Sequence, residues 1–244
     1  LDIMGHEFTH AVVQYTADLV YETQSGALNE SYADVFAVMV DREDWHLFED
    51  NSASPPLPTP WMRDMQDPSL GDYNPRKPQE GWGQPTLMSE YANLPNDRDG
   101  DWGGVHVNSG IPNHVLYLAA TASSREAAEQ IWYRALTTYL TPKSDFQDFA
   151  EAIQKSAKDL YGANSKEANA VNSALAASGI INAAAQPTPV PDTSPKPTVA
   201  PVPAQVVTAG CTEMISNGTF EGARSDPWVE KTALTTPISG GDFP

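Results

Sequence analysis

Cysteine is all but absent. Cys211 is the only one in 244 residues, so no disulfide can close within the chain and cysteine usage says nothing about the redox compartment. Basic charge is scarce as well. Lys and Arg total 14 against 32 Asp and Glu, a formal net charge of -18, and a chain this acidic repels phosphate backbones, which argues against general nucleic-acid binding. No apolar run approaches the roughly 18 to 20 residues that a spanning helix needs, so no membrane span is expected. What is present is 40% hydrophobic and 19% charged residues, the composition of a chain with a packed core and not of a disordered acidic tail. The length fits one large or two modest domains.

The acid is unevenly placed. Residues 1–110 hold 19 acidic and 5 basic side chains, against 13 and 9 in residues 111–244. Such crowding destabilises a fold unless solvent or bound divalent cations relieve it, and composition alone favours the solvated surface. Apolar residues recur at three- and four-residue spacing over 2–16 and 27–41, predicting two helices. Between Asn51 and Gly104 the pattern fails in favour of Pro, Gly, Asp and Asn, which predicts a long ordered loop region. Helical stripes return over 112–123, 125–140, 145–160 and 165–178, broken at Pro142 and Gly162, and predict a helical bundle. Seven prolines within 186–203 favour an extended linker that buries no core. Residues 210–244 are rich in Thr, Gly and aromatic side chains and read as the start of a β-domain. The first residues already lie inside a helical pattern, and the last inside a strand-and-turn pattern. Missing sequence is therefore expected on both sides.

The chemistry begins with His6-Glu7-Phe8-Thr9-His10. On a helix, residues i and i+4 lie about 5–6 Å apart at Cβ on one face, so both imidazoles can reach one ion. Glu7, one residue on from His6, can lean toward a water on that ion. A catalytic zinc takes three protein ligands and keeps one open position, and Glu30 answers that need from the first turn of the second helix. Asp34, one turn later, can accept the other ring N–H of a ligating histidine and increase its basicity. The alternative for both acids is an exposed helix face. His106, after Gly103 and Gly104 in a turn leading to a helix, is placed to donate to developing negative charge, with Asp101 able to keep it protonated. Taken alone, a loop histidine is more often merely solvated. Asp97 to Asn108 invites a calcium-loop reading, but Trp102 and Asn108 stand where an EF-hand needs Gly and Glu. That reading is rejected.

HEFTH, GALNESYAD and GGVHVNSG, in this order and at these intervals, resemble the thermolysin family of zinc metalloendopeptidases. The similarity continues through WMRDMQDP, IWYRALTTYLTP and SAKDLYG and covers roughly residues 1–181. It implies a mainly α fold: a thermolysin-like C-terminal helical domain with the zinc helix and a calcium-clamped loop region over 1–181. A Pro-rich linker over 182–209 and the truncated start of a β-sandwich over 210–244 would follow. His6, His10 and Glu30 match the family's zinc ligands, Glu7 its general base, and Asp34 the partner of the first histidine. Tyr21 and His106 match the groups that stabilise the oxyanion, with Asp101 orienting His106. Arg63 matches the arginine that holds the carbonyl of the residue after the scissile bond. Ile3 and Met62 match positions lining the pocket for that residue's side chain. Asp2, Asp41, Asp44 and Glu49 fall where the family binds calcium. His46 stands where thermolysin has a glutamate shared by two calcium ions, so one ion is expected. Gln14 replaces an Asp of the active-site helix.

The resemblance thus implies a secreted zinc endopeptidase acting on proteins or peptides before bulky apolar residues, with Zn2+ and Ca2+ as cofactors. It also implies that the N-terminal β-rich half of the cleft lies outside this sequence, and that the fragment alone is inactive. Residues 214–228 resemble the first strands of galactose-binding-like sandwiches, which implies a glycan partner for the C-terminal module. The rival reading is a non-catalytic adhesion or glycan-binding protein on a retained metallopeptidase scaffold. It would require loss of Glu7, His106 or a ligand, and all are present.

Overall fold

The computed structural model describes residues 1–49, 61–71 and 83–181. The expected linker and β-module lie outside the described residues. Seven helices run in order among those described: α1 (Asp2–Gln14), α2 (Thr23–Val40), α3 (Asp101–Asn108), α4 (Gly110–Ala122), α5 (Arg125–Thr138), α6 (Phe146–Tyr161) and α7 (Lys166–Ala177). Between α2 and α3 lie a minimal antiparallel pair, β1 (His46–Leu47) and β2 (Arg63–Asp64), and two 3-10 turns. The fold is therefore mainly helical, and five of the six expected helices lie within two residues of their predicted bounds at both ends.

Side-chain caps account for several boundaries. Asp145 accepts from the Gln147 and Asp148 amides at 2.9 Å, while Asp148 reaches back to the Asp145 amide at 3.1 Å. This reciprocal box satisfies orphan donors of the first turn of α6. Ser124 and Ser165 cap α5 and α7 by accepting from Ala127 and Ala168.

Two expectations need correction. The second helix begins at Thr23, not at residue 27, so Glu30 sits on its third turn. Thr23 to Gly26 look like a turn in sequence, yet they form the first turn of α2, and a Cβ on Gly26 would come within 2.4 Å of Val105 Cγ1. Close packing of α3 on α2 requires the missing side chain. The loop region also ends sooner than expected. Its last four residues, Asp101 to Gly104, open α3 in a non-helical conformation that hydrophobic periodicity cannot register.

α2 runs through the middle of the domain. Its residues from Ser25 to Val35 are all buried, as expected of a helix enclosed on every side. It packs on α1, α3, α4 and α6. Leu28, Tyr32, Trp132, Phe146, Phe149 and Ile153 are among the largest fully buried side chains. The Phe149 ring lies edge-on to Tyr32 at 6.4 Å and to Trp132 at 5.8 Å between centroids. Because this core holds α2 in place, Trp132→Ala should lower stability by about 3–5 kcal/mol, read as a lower urea midpoint at constant slope. A loss below about 1 kcal/mol would show that the α5–α6 layer does not support the central helix.

Candidate active site

α1 places His6 and His10 one turn apart, with their Nε2 atoms 3.1 Å from each other. Each ring is held from behind. His6 Nδ1 lies 2.8 Å from Asp34 Oδ1, and His10 Nδ1 lies 2.8 Å from Asn29 Oδ1. The Asn29 amide is itself oriented, because its Nδ2 donates to the Leu19 carbonyl at 3.1 Å, which leaves Oδ1 to accept. With each Nδ1 facing an acceptor oxygen, each ring turns its Nε2 toward the other and toward Glu30. Glu30, only 1% exposed, brings its carboxylate to 3.5 Å from His6 Nε2 and 3.6 Å from His10 Nε2. Its Oε2 is buried with no hydrogen-bond partner among the described residues. Three potential ligand atoms thus converge, one from each residue. The donor set, two imidazoles and one carboxylate, fits a zinc ion with an open fourth position.

Asp34 anchors this arrangement. It is fully buried and accepts from His6, from Arg63 Nη1 at 2.6 Å and from Asn113 Nδ2 at 2.8 Å. Burial alone would raise its pKa, but the Arg63 charge and the hydrogen bonds from His6 and Asn113 bring it down to about 2. Arg63 also lies 3.6 Å from Glu30.

Across from the histidines, the Tyr21 hydroxyl donates to Glu30 and lies 3.1 Å from His106 Nε2. Burial and the Glu30 charge push the Tyr21 pKa far above its ordinary value, so the hydroxyl remains a donor. Asp101 holds His106 twice, at ring Nδ1 (2.6 Å) and at the backbone amide (2.8 Å). Burial disfavours the His106 cation, but the bond to Asp101 and the Glu30 charge outweigh it and raise the pKa. The backbone achieves this placement by a turn of left-handed conformation, with φ of 57° at Asp101, 47° at Trp102, 87° at Gly103 and 80° at Gly104. Gln84, 3% exposed, closes the turn by donating to the His106 carbonyl at 2.6 Å and to Ser109 Oγ at 3.0 Å. Glu7 and Ile3 are exposed on α1, while Met62 is half-buried against the core.

The acidic positions divide. Asp44, His46 and Glu49 bring ligand atoms within 4.8 Å of one another, a group that does not include Asp41. His46 Nδ1 lies 3.2 Å from Asp44 and 3.7 Å from Glu49, its Nε2 lies 3.5 Å from Asp64, and its ring stacks on Trp61 at 3.8 Å. Burial and the neighbouring Asp44 charge raise the Glu49 pKa. The Asp2 carboxylate accepts from the Ile3 amide at 2.7 Å and from the Phe48 amide.

Three residues of the site were not anticipated: Asn29, Asn113 and Gln84. Asn29 directly precedes Glu30 in a motif already singled out, and could have been found by asking which group holds His10. Asn113 and Gln84 reach the site only through tertiary packing.

Two histidines one turn apart, a carboxylate from the next helix and a facing Tyr–His pair form a group that could hold a metal ion, carried on a helical domain. The chain belongs to the thermolysin metallopeptidase family: residues 17–180 match the model of the thermolysin metallopeptidase alpha-helical domain. It is 47% identical over 180 residues to neutral protease NprE of Bacillus pumilus, covering 74% of this chain and 54% of that protein. Bacillolysin of Bacillus subtilis (strain 168) is equally identical over 180 residues, 74% of this chain and 31% of that protein. An extracellular elastase of Staphylococcus epidermidis is 45% identical over 161 residues, 66% of this chain and 29% of that protein. Among solved structures, the precursor of protealysin, a metalloproteinase from Serratia proteamaculans, superposes with a TM-score of 0.63 at 34% identity, covering 74% of this chain and 57% of that one. The chain thus spans about half or less of the length of these curated relatives.

Gly103 tests the left-handed turn. An added Cβ would lie 2.8 Å from Thr23 Cγ2 at a φ of +87°, so Gly103→Ala should destabilise by at least about 1–2 kcal/mol. An unchanged urea midpoint would show that the turn tolerates a side chain there.

Proposed function

We propose that this chain is the zinc-bearing part of a secreted metalloendopeptidase that hydrolyses proteins or peptides on the amino side of bulky apolar residues. The observation that carries this reading is the convergence of His6 Nε2, His10 Nε2 and Glu30 opposite Tyr21 and His106. Zinc held by His6, His10 and Glu30 would supply a Lewis acid and a bound water with pKa near ~7. Glu7 accepts the proton of the attacking water and returns it to the leaving amine. The Tyr21 hydroxyl and the protonated His106 ring donate to the oxygen that becomes negative, and Asp101 keeps that ring charged and aimed. Arg63 holds Asp34 and Glu30 and would reach the carbonyl after the scissile bond. A location outside the cell is supported by the extracellular relative. No helix among the described residues is long and apolar enough to cross a membrane. The non-catalytic rival gains no support, because every residue with an assigned chemical role is retained. Residues 182–209 as a linker and 210–244 as a glycan-binding module remain part of the proposal.

In the full-length enzyme, Glu7→Gln should leave zinc stoichiometry unchanged while abolishing turnover, because Glu7 serves the water and not the ion. His106→Ala should lower kcat about 10²- to 10³-fold with little change in KM. Metal analysis beside a peptide assay checks both. Near-normal activity of either variant, or an effect of His106→Ala confined to KM, would refute the assigned role.

For calcium we propose one ion, held by Asp2, Asp41, Asp44 and Glu49, although of these only Asp44 and Glu49 belong to the converging group and Asp2 and Asp41 would have to draw in on binding. His46 occupies space between Asp44 and Glu49 and brings a nitrogen donor that suits a hard cation poorly. Calcium titration should give one tight site in this cluster. Two would refute the reading.

Ile3 is 51% exposed, which fits a pocket wall better than a core position, and Met62 adjoins Arg63. Burying a Leu, Ile or Phe side chain against them would contribute about 1.5–3 kcal/mol. A peptide-library digest should show cleavage before such residues. Frequent cleavage before Lys, Asp or Glu with no enrichment for Leu, Ile or Phe would contradict the pocket.

A further inference from the structure

We propose that Asn113 is a positioning residue for the metal centre, acting on His6 through the Asp34 carboxylate; the inference rests on the zinc reading above. Asn113 lies on the first turn of α4 and is 0% exposed, as is Asp34. The two oxygens of Asp34 have different duties. Oδ1 accepts from both His6 Nδ1 and Arg63 Nη1, at 2.8 and 2.6 Å, while Oδ2 accepts from Asn113 Nδ2 at 2.8 Å. No water can replace a lost donor cheaply at a site this enclosed, and a buried anionic oxygen without one is costly.

The geometry gives the amide a definite task. Among the described residues Arg63 is the cationic donor beside the carboxylate, and without Asn113 to hold Oδ2 a guanidinium favours engaging both oxygens of its partner. Rotation of Asp34 toward that bidentate pairing would withdraw Oδ1 from His6. The Asn113 bond opposes this rotation by fixing Oδ2. Its effect therefore reaches the ion through two side chains, the Asp34 carboxylate and the His6 ring.

The energetics of Asn113 point the same way. Its Oδ1 is buried with no hydrogen-bond partner among the described residues. A half-satisfied buried amide is unfavourable compared with an apolar side chain of similar shape, unless its remaining bond is a strong one. Here that bond is assisted by the Asp34 charge. Asn113 also ties together two parts of the site, since α4 begins directly after the segment that carries His106. Its backbone amide donates to Ser109, whose hydroxyl bonds the His106 carbonyl.

The test is zinc affinity of the full-length enzyme and its Asn113→Leu variant, measured by competition with a chromophoric chelator, beside thermal unfolding of both metal-free forms. Outer partners of metal ligands typically contribute 10- to 100-fold in affinity, and the more remote Asn113 should contribute about tenfold. The expected result is that loss with a cooperative unfolding transition retained in the metal-free variant. An affinity within about twofold of the parent would overturn the proposal. A second measurement needs no substitution. The Asn113 side-chain amide resonances of the parent protein should shift when zinc is removed, because the ion polarises His6 and Asp34 in turn; unchanged resonances would equally overturn it. Failure of the parent itself to bind one zinc would instead overturn the functional reading on which the inference rests.

Discussion

A fully ionised carboxylate with no exposure to water is the constraint on which the rest of this domain depends. Asp34 can remain charged inside the protein only because His6, Arg63 and Asn113 donate to it. Those donors come from α1, β2 and α4, and Asp34 itself comes from α2. Four elements distant in sequence must therefore assemble at one point. The same assembly fixes the first histidine in the tautomer that presents Nε2 to an ion. Stability and function are coupled here by one group: what neutralises the buried charge also aims the ligand.

The opposite wall of the site uses strain in place of charge. Asp101 and Trp102 hold a left-handed conformation that ordinary residues avoid, followed by two glycines that adopt it readily. The turn is supported from three sides. Asp101 accepts from His106, Gln84 donates to the His106 carbonyl, and α2 passes so closely that Gly26 and Gly103 lack room for side chains. A group meant to receive developing charge has to be positioned before the charge appears, and this local over-determination provides that.

The sequence made one class of feature legible and hid another. Spacing within a helix was readable: His6, Glu7 and His10 follow from helical geometry alone, and the amphipathic stripes of α5 to α7 mark those helices to within a few residues. Pro142 and Gly162 marked the breaks between them, while the caps at Asp145 and Ser165 emerged only with the structure. The start of α2 was misplaced because Thr23 to Gly26 carry turn-like residues, and the packing of Gly26 against Val105 is a tertiary contact. α3 was missed because four left-handed residues leave no periodic trace. Asn29, Gln84 and Asn113 are polar residues whose partners lie up to 79 positions away in sequence. Their roles are set by tertiary contact, which no local pattern reports. His46 shows the same limit from the other side. Its identity weakened the case for a second calcium ion, but its stacking on Trp61 and its contact with Asp64 required the fold.

The central claim is that His6, His10 and Glu30 hold a single zinc ion through atoms already converging on one point. Its most direct test is a crystal structure of the zinc-bound protein with diffraction recorded at the zinc absorption edge. The account predicts one anomalous peak about 2.0–2.2 Å from His6 Nε2, His10 Nε2 and a Glu30 carboxylate oxygen. A peak ligated through either Nδ1 atom, or centred on other residues with these three unliganded, would contradict it.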